Sequence, residues 1–237
     1  MSLLNATGLS KHYAGLTAVN NVDFDLPKGQ VRALIGPNGA GKTTFVGMLS
    51  GRIESSSGTV FFKGNDITSL PAHKRMRMGM AYTFQITSVF TNLSVHENVA
   101  LAARRVIDNG TAAVNDRVSQ VLNKVSLADR FEQIAGDLSY GHQRLLEIAM
   151  GLAQQPELFI LDEPTQGLAE SEIDEFVGLI DTLSADTTIL LIEHNMDVVM
   201  RSAHYITVLN FGEVLAEGTP EQIRNNESVQ AAYLGKQ

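Results

Sequence analysis

Short apolar stretches alternate with glycine- and proline-marked turns through the first third of the chain. Over residues 18–26, Val19, Val22, Phe24 and Leu26 precede Pro27-Lys28-Gly29, which predicts a strand followed by a turn. Residues 31–35 predict a compact buried strand that runs straight into a glycine-rich loop. Helix-forming residues follow as far as Ser50-Gly51, where glycine marks the stop. Residues 59–62 and 80–84 predict two further strands.

Between Ser94 and Leu152 the period changes from two to nearly four. Ser94-Val95-His96-Glu97 has the spacing of a capping box, and Val95, Val99 and Ala102-Ala103 extend an apolar stripe. Val114, Val118, Val121, Leu122 and Val125 mark a second amphipathic helix over 113–125. A third is expected to open after Gly141, carrying Leu145, Leu146, Ile148, Ala149 and Leu152. Strand texture returns at 158–161, 189–192 and 205–209, around a helical stretch at 171–183. This alternation predicts βαβ units and a largely parallel sheet. Thr219-Pro220-Glu221-Gln222 starts a short helix with proline at its first position. The whole reads as one α/β domain over 1–237. Its core covers about 1–85 and 156–237, and a helical block is inserted at about 86–155.

Composition narrows the chemistry. The chain has 237 residues, 44% of them hydrophobic, enough apolar content for a sizeable core. The longest apolar runs span four or five residues, against about twenty for a membrane helix. No secretory signal pattern opens the sequence. With no cysteine, disulfides and thiolate metal sites are excluded, which fits a reducing compartment. The 26 acidic and 18 basic side chains leave a net charge of −8, which argues against a nucleic-acid partner. The basic clusters at 73–77 and Arg104-Arg105 are expected to be solvated helix faces.

Three segments carry chemistry. Gly36-Pro37-Asn38-Gly39-Ala40-Gly41-Lys42-Thr43-Thr44 matches Gly-x4-Gly-Lys-Ser/Thr between a predicted strand and a predicted helix. Its glycines let successive N–H groups point inward at phosphate oxygens, and the helix start adds a positive dipole end. Lys42 can reach the β- and γ-phosphates, and the Thr43 hydroxyl can ligate Mg²⁺. The second segment is the apolar strand 158–161, which ends in Asp162-Glu163-Pro164. Its acids emerge at the carboxyl end of the strand, where α/β sheets bind ligands. Asp162 is suited to hold Mg²⁺ and Glu163 to polarise an attacking water. Finally, Gln85 and His194 each follow a predicted strand, so they can meet the cation and the γ-phosphate respectively.

Leu138-Ser139-Tyr140-Gly141-His142-Gln143-Arg144 resembles the signature sequence of ABC-transporter ATPases. The order of Tyr13, the phosphate loop, Gln85, the signature, Asp162-Glu163 and His194 is similar to theirs over nearly the whole chain. The resemblance implies a P-loop NTPase core with a mixed, mainly parallel sheet, an N-terminal antiparallel portion and an inserted helical subdomain. It implies ATP and Mg²⁺ as cofactors and ATP hydrolysis coupled to transmembrane transport. Tyr13 would stack on adenine, while Gly36 through Thr44 would hold phosphate. Thr43, Gln85 and Asp162 would attend the metal. Glu163 would be the catalytic carboxylate and His194 the switch histidine, with Lys42 supporting the transferring phosphate. Ser139 and Gly141 would complete the ATP site of a second subunit, either an identical chain or a related one, so hydrolysis would need a head-to-tail dimer.

Details at Thr83-Phe84-Gln85, Phe90, Ile192-Glu193-His194-Asn195-Met196 and the ending Ala232-Tyr233-Leu234-Gly235 resemble the branched-chain (hydrophobic) amino acid importer group. The implied partners are integral membrane permease subunits and, indirectly, a periplasmic solute-binding protein. The implied location is the cytoplasmic face of the inner membrane. Ile86, Val89, Phe90 and Leu93 either form the groove for a permease helix or belong to the core. Three positions depart from the general family pattern: Tyr140 replaces a usual Gly, as in this group, His142 replaces a usual Gln, and Ala169 stands where aspartate is common. The alternatives are a soluble assembly-type ABC ATPase and the ATPase of lipopolysaccharide export.

Overall fold

The computed structural model describes residues 2–83, 88–108 and 110–234. Strands β1 (Ser2–Tyr13) and β2 (Leu16–Pro27) pair as an antiparallel hairpin, with Leu4 opposite Leu26 and Ala6 opposite Phe24. The predicted strand at 18–26 is the inner part of β2, whereas β1 was not apparent from periodicity. Its alternation breaks at Gly8, where the backbone turns left-handed (φ 60°) and the register with β2 shifts between Ala6 and Leu9. Strands β4 (Ser57–Phe62) and β5 (Asn65–Asp66) complete a four-stranded sheet of order β2-β1-β4-β5.

The second sheet has six strands. Strand β3 (Val31–Ile35) lies between β9 (Tyr205–Asn210) and β8 (Thr188–Ile192). Beyond β8 come β7 (Leu158–Asp162) and β6 (Met80–Thr83), while β10 (Glu213–Gly218) closes the other edge against β9. All pairings among β9, β3, β8, β7 and β6 are parallel, and β10 is antiparallel. Strands β3, β7 and β8 are buried at every residue, which is why they read as continuous apolar runs rather than alternating ones.

Helix α1 (Lys42–Ser50) lies between the sheets and buries Phe45, Val46, Met48 and Leu49. The Phe45 ring meets Phe24 edge-on at 5.5 Å, and Gly51 ends the helix in left-handed conformation as its position predicted. On the other face of the parallel sheet pack α3 (Val95–Ala103), α4 (Gly110–Lys124), α5 (Tyr140–Ala153) and α6 (Glu170–Ser184). Their apolar stripes share one core with Phe159, Leu161, Ile189 and Leu191. Ser94 and Glu97 form the expected capping box at α3, and Thr219 with Gln222 forms one at α8 (Pro220–Arg224). Helices α7 (Met196–Ser202) and α9 (Glu227–Leu234) complete the C-terminal part.

Two expectations need correction. Helix α5 opens at Tyr140 rather than after Gly141, because the Ser139 side chain accepts from the His142 N–H and caps the helix. The basic cluster at 73–77 is not uniformly a solvated face. In α2 (Ala72–Arg77), Arg75 is only 2% exposed. Its guanidinium donates to the carbonyls of Met48 and Leu49 at the end of α1, and to those of Leu70 and Thr68. Burial pushes its pKa down to about 10 against an opposing pull from Asp66. Arg75 therefore satisfies the orphan carbonyls at the end of α1. Arg75→Met should cost about 2–4 kcal/mol by removing the guanidinium from these carbonyls, of which Met48 O keeps only the Gly51 N–H at 3.2 Å. Urea unfolding checks this, and an unchanged midpoint would contradict it.

Candidate functional site

Register brings the predicted chemistry to one edge of the parallel sheet. Leu34 pairs with Ile192, Ile192 with Asp162, and Leu161 with Thr83. The carboxyl ends of β3, β8, β7 and β6 are thus level. The phosphate loop, His194, Asp162-Glu163 and Thr83 leave the sheet side by side.

Between β3 and α1 the loop curls back over the helix start. Gly41 caps α1 at φ 97°, and a Cβ on it would stand 2.4 Å from the Ala18 carbonyl of β2. The turn after β9 braces the loop from outside: Gly212 N–H donates to Ala40 O at 3.0 Å, and Asn20 N–H donates to Gly212 O at 2.8 Å. Lys42 Nζ donates inward to the carbonyls of Gly36 at 2.7 Å and Pro37 at 3.2 Å. Partial burial lowers its pKa, while Glu163 and Asp162 pull it back up. The loop with its lysine therefore faces Glu163 across a cleft of about 520 Å³. Residues 38–44, Glu163, Leu16 and Phe211 line the cleft. The Thr43 side chain is exposed at the start of α1. Curled N–H groups, a lysine and a hydroxyl make a donor set that fits a nucleotide polyphosphate.

The two acids differ in setting. Asp162 is buried and accepts a hydrogen bond from the Tyr82 hydroxyl, which in turn accepts from Arg52; the Arg52 guanidinium also stacks over the Tyr82 ring. Burial raises the Asp162 pKa, while the Tyr82 bond and Arg52 oppose that rise. Tyr82 is itself raised by burial and by its bond to Asp162, so it remains a donor. Glu163 adopts φ 47°, a left-handed conformation rare outside glycine, and its N–H donates to Ile192 O at 2.9 Å. Its Oε2 lies 3.9 Å from Nδ1 of His194, which is half exposed. Strain of this kind costs of order 1–3 kcal/mol and collects at functional sites.

Ser139 and Gly141 stand at the N-terminus of α5, outside the cleft. The Ser139 hydroxyl accepts from the His142 N–H and lies 2.8 Å from ring Nδ1 of His142. The unusual histidine thus hydrogen-bonds its own cap. Tyr140 packs on Gly167, and Glu172 Oε2 accepts from the Ala169 N–H at 2.8 Å. Tyr13, half exposed at the tip of the β1–β2 hairpin, is not among the cleft-lining residues; Leu16 and Phe211 are. Gln85, with Phe84 and Ile86, lies outside the described residues. Of the suggested groove, Val89 packs on the core, whereas Phe90 is 54% exposed. The backbone of Phe90 is gripped at both N–H and C=O by the buried amide of Asn98.

Sequence reasoning missed Tyr82, Arg52, Arg144 and Glu193 as site residues. Arg144, 1% exposed on α5, donates to the Asp162 carbonyl at 2.6 Å and to the Pro164 carbonyl at 3.3 Å. It is also paired with Glu147 at 2.6 Å. The signature helix is therefore tied to the carbonyls of the two residues on either side of Glu163. Glu193 carried a usable signal, being an acid directly after an apolar strand, as Asp162-Glu163 are.

Residues 19–166 match the family model described as ABC transporter. Over 99% of its length the chain is 40% identical to the high-affinity branched-chain amino acid transport ATP-binding protein LivG of Escherichia coli (strain K12), covering 98% of that protein. The chain belongs to the ABC transporter ATP-binding family and is an ATPase. Residues 213–237 also match a model described as branched-chain amino acid ATP-binding cassette transporter. Among other relatives, BraF of Pseudomonas aeruginosa is 38% identical over 99% of this chain and 98% of its own length. The lipopolysaccharide export system ATP-binding protein LptB of Haemophilus influenzae is 31% identical over 100% of this chain and 99% of its own. The ADP conformation of MJ1267, an ATP-binding cassette of an ABC transporter, superposes with a TM-score of 0.91 at 27% identity, each chain covered completely. The ABC ATPase fold expected from the motifs is thus the fold observed.

Because Gly41 touches the Ala18 carbonyl at a backbone angle unsuited to side chains, Gly41→Ala should displace the phosphate loop. Binding of a fluorescent ATP analogue should weaken by about tenfold or more. Unchanged affinity would show that the loop tolerates a shift of its first helical turn.

Proposed function

We propose that this chain powers an importer of branched-chain or other hydrophobic amino acids from the cytoplasmic face of the inner membrane. The observation that carries this reading is the full-length likeness to LivG at 40%, against 31% for LptB. The match of residues 213–237 to the branched-chain model points the same way. No helix among the described residues is long and apolar enough to cross a membrane, so attachment would run through permease subunits. A periplasmic solute-binding protein would deliver the solute to them.

In this reading residues 36–44 hold the phosphates of ATP, and Tyr13 serves the adenine. Thr43 and Asp162, with Gln85, hold Mg²⁺, which neutralises charge on the phosphates when bound. Tyr82 supports that role by donating to Asp162. Glu163 orients the attacking water and His194 donates toward the γ-phosphate, while Lys42 stabilises the charge that develops there. Ser139 and Gly141 present the α5 N-terminus to ATP on a second copy or a related subunit, and ATP closes the pair. The helical block at 86–155 then passes closure to the permease, with Phe90 displayed on the surface by Asn98.

Glu163→Gln should retain ATP binding, accumulate an ATP-dependent dimer in size-exclusion chromatography and lower turnover by about 10²–10⁴. Lys42→Ala should instead weaken ATP binding itself. Normal turnover in Glu163→Gln would overturn the catalytic assignment. In cells, loss of the chain should abolish energy-dependent uptake of leucine, isoleucine and valine and leave lipopolysaccharide export intact. Phe90→Asp should reproduce that loss with ATP binding preserved. Impaired export with unchanged uptake would favour the LptB-like reading.

A further inference from the structure

We infer that Glu193 is a positioning residue for hydrolysis, locking the loop that bears His194 to the loop that follows Glu163. The inference rests on the proposed roles of those two residues.

The Glu193 side chain has no solvent exposure. Oε1 accepts from the Thr165 N–H at 3.0 Å and from the Thr165 hydroxyl at 2.5 Å. Oε2 accepts from the N–H groups of His194 at 3.0 Å and Asn195 at 3.2 Å. A carboxylate offers about four acceptor sites, and these donors match them. An amide of the same size could not: its NH₂ would face donors. The site therefore selects a carboxylate by hydrogen-bonding chemistry as well as by volume.

What the carboxylate joins gives it a function. Thr165 lies two residues beyond Glu163, and His194 directly follows Glu193. The backbone bond from Glu163 to Ile192 registers the same two loops at the preceding positions, one residue before Glu193 and two before Thr165. Together they fix the separation of two side chains, Glu163 Oε2 standing 3.9 Å from His194 Nδ1. A shift of about 1 Å in such a pair can cost about 10² in rate. The clamp also gives the 165–169 segment a route to His194 that does not need an acid at Ala169, whose N–H is held by Glu172.

The test compares Glu193→Gln, Thr165→Val and Thr165→Ser in the full chain, with ATPase kinetics, fluorescent-ATP affinity and thermal melting. Thr165→Val removes only the hydroxyl donor, so it decides the matter if Glu193→Gln fails to fold. The expected result is a kcat lower by about tenfold or more in Glu193→Gln and Thr165→Val, with ATP affinity within about twofold of the parent. Thr165→Ser should restore the rate. A Thr165→Val variant with parental kcat would overturn the clamp, as would affinity and kcat falling together. A parent chain that does not hydrolyse ATP would instead defeat the underlying assignment of Glu163 and His194.

Discussion

The structure depends on the register of three wholly buried parallel strands. Leu34 opposite Ile192 and Ile192 opposite Asp162 set the starting points of the phosphate loop, the His194 loop and the Glu163 loop. A strand that is apolar on both faces has little side-chain pattern to resist slippage. What resists it here is the chemistry at the ends. Moving β7 back by a residue would draw Asp162 and Glu163 toward an apolar interior, and burying an unpaired carboxylate costs several kcal/mol. The acids that serve the site also pin the sheet that presents them.

Polar groups buried behind this edge hydrogen-bond to one another. Arg144 takes the carbonyls of Asp162 and Pro164, Tyr82 donates to Asp162, and Glu193 collects four donors from two loops. Breaking one member of such a network leaves a buried group unpaired, so the cost exceeds that of one bond. This edge of the sheet is therefore stiff. That stiffness lets Glu163 persist in a left-handed conformation.

The parts legible in the sequence were those with strong local rules. The wholly apolar strands, the capping box at Ser94, the proline-led helix start at Thr219, the glycine stop at Gly51 and the glycine-rich loop all declare themselves within a few residues. What stayed hidden depends on contacts distant in sequence. Strand β1 was obscured by its break at Gly8, and Arg75 read as a surface cation because nothing nearby shows the carbonyls of α1 that it caps. Tyr82 looks like an ordinary strand residue until β6 is laid beside β7. The roles expected of Ser139 and Gly141 rest on resemblance alone, since neither residue lines the cleft beside Lys42.

That separation is the centre of the account. The cleft at Lys42 and the capped end of α5 belong to one chain yet lie apart, and in the proposed function each is one half of a site that a neighbouring subunit would finish. The most direct measurement is ATPase activity per mole of chain across a dilution series, with the mass in solution determined at each point. The account predicts activity that rises and falls with the dimeric fraction and vanishes in the monomer. Full activity in a preparation that is monomeric throughout would contradict it.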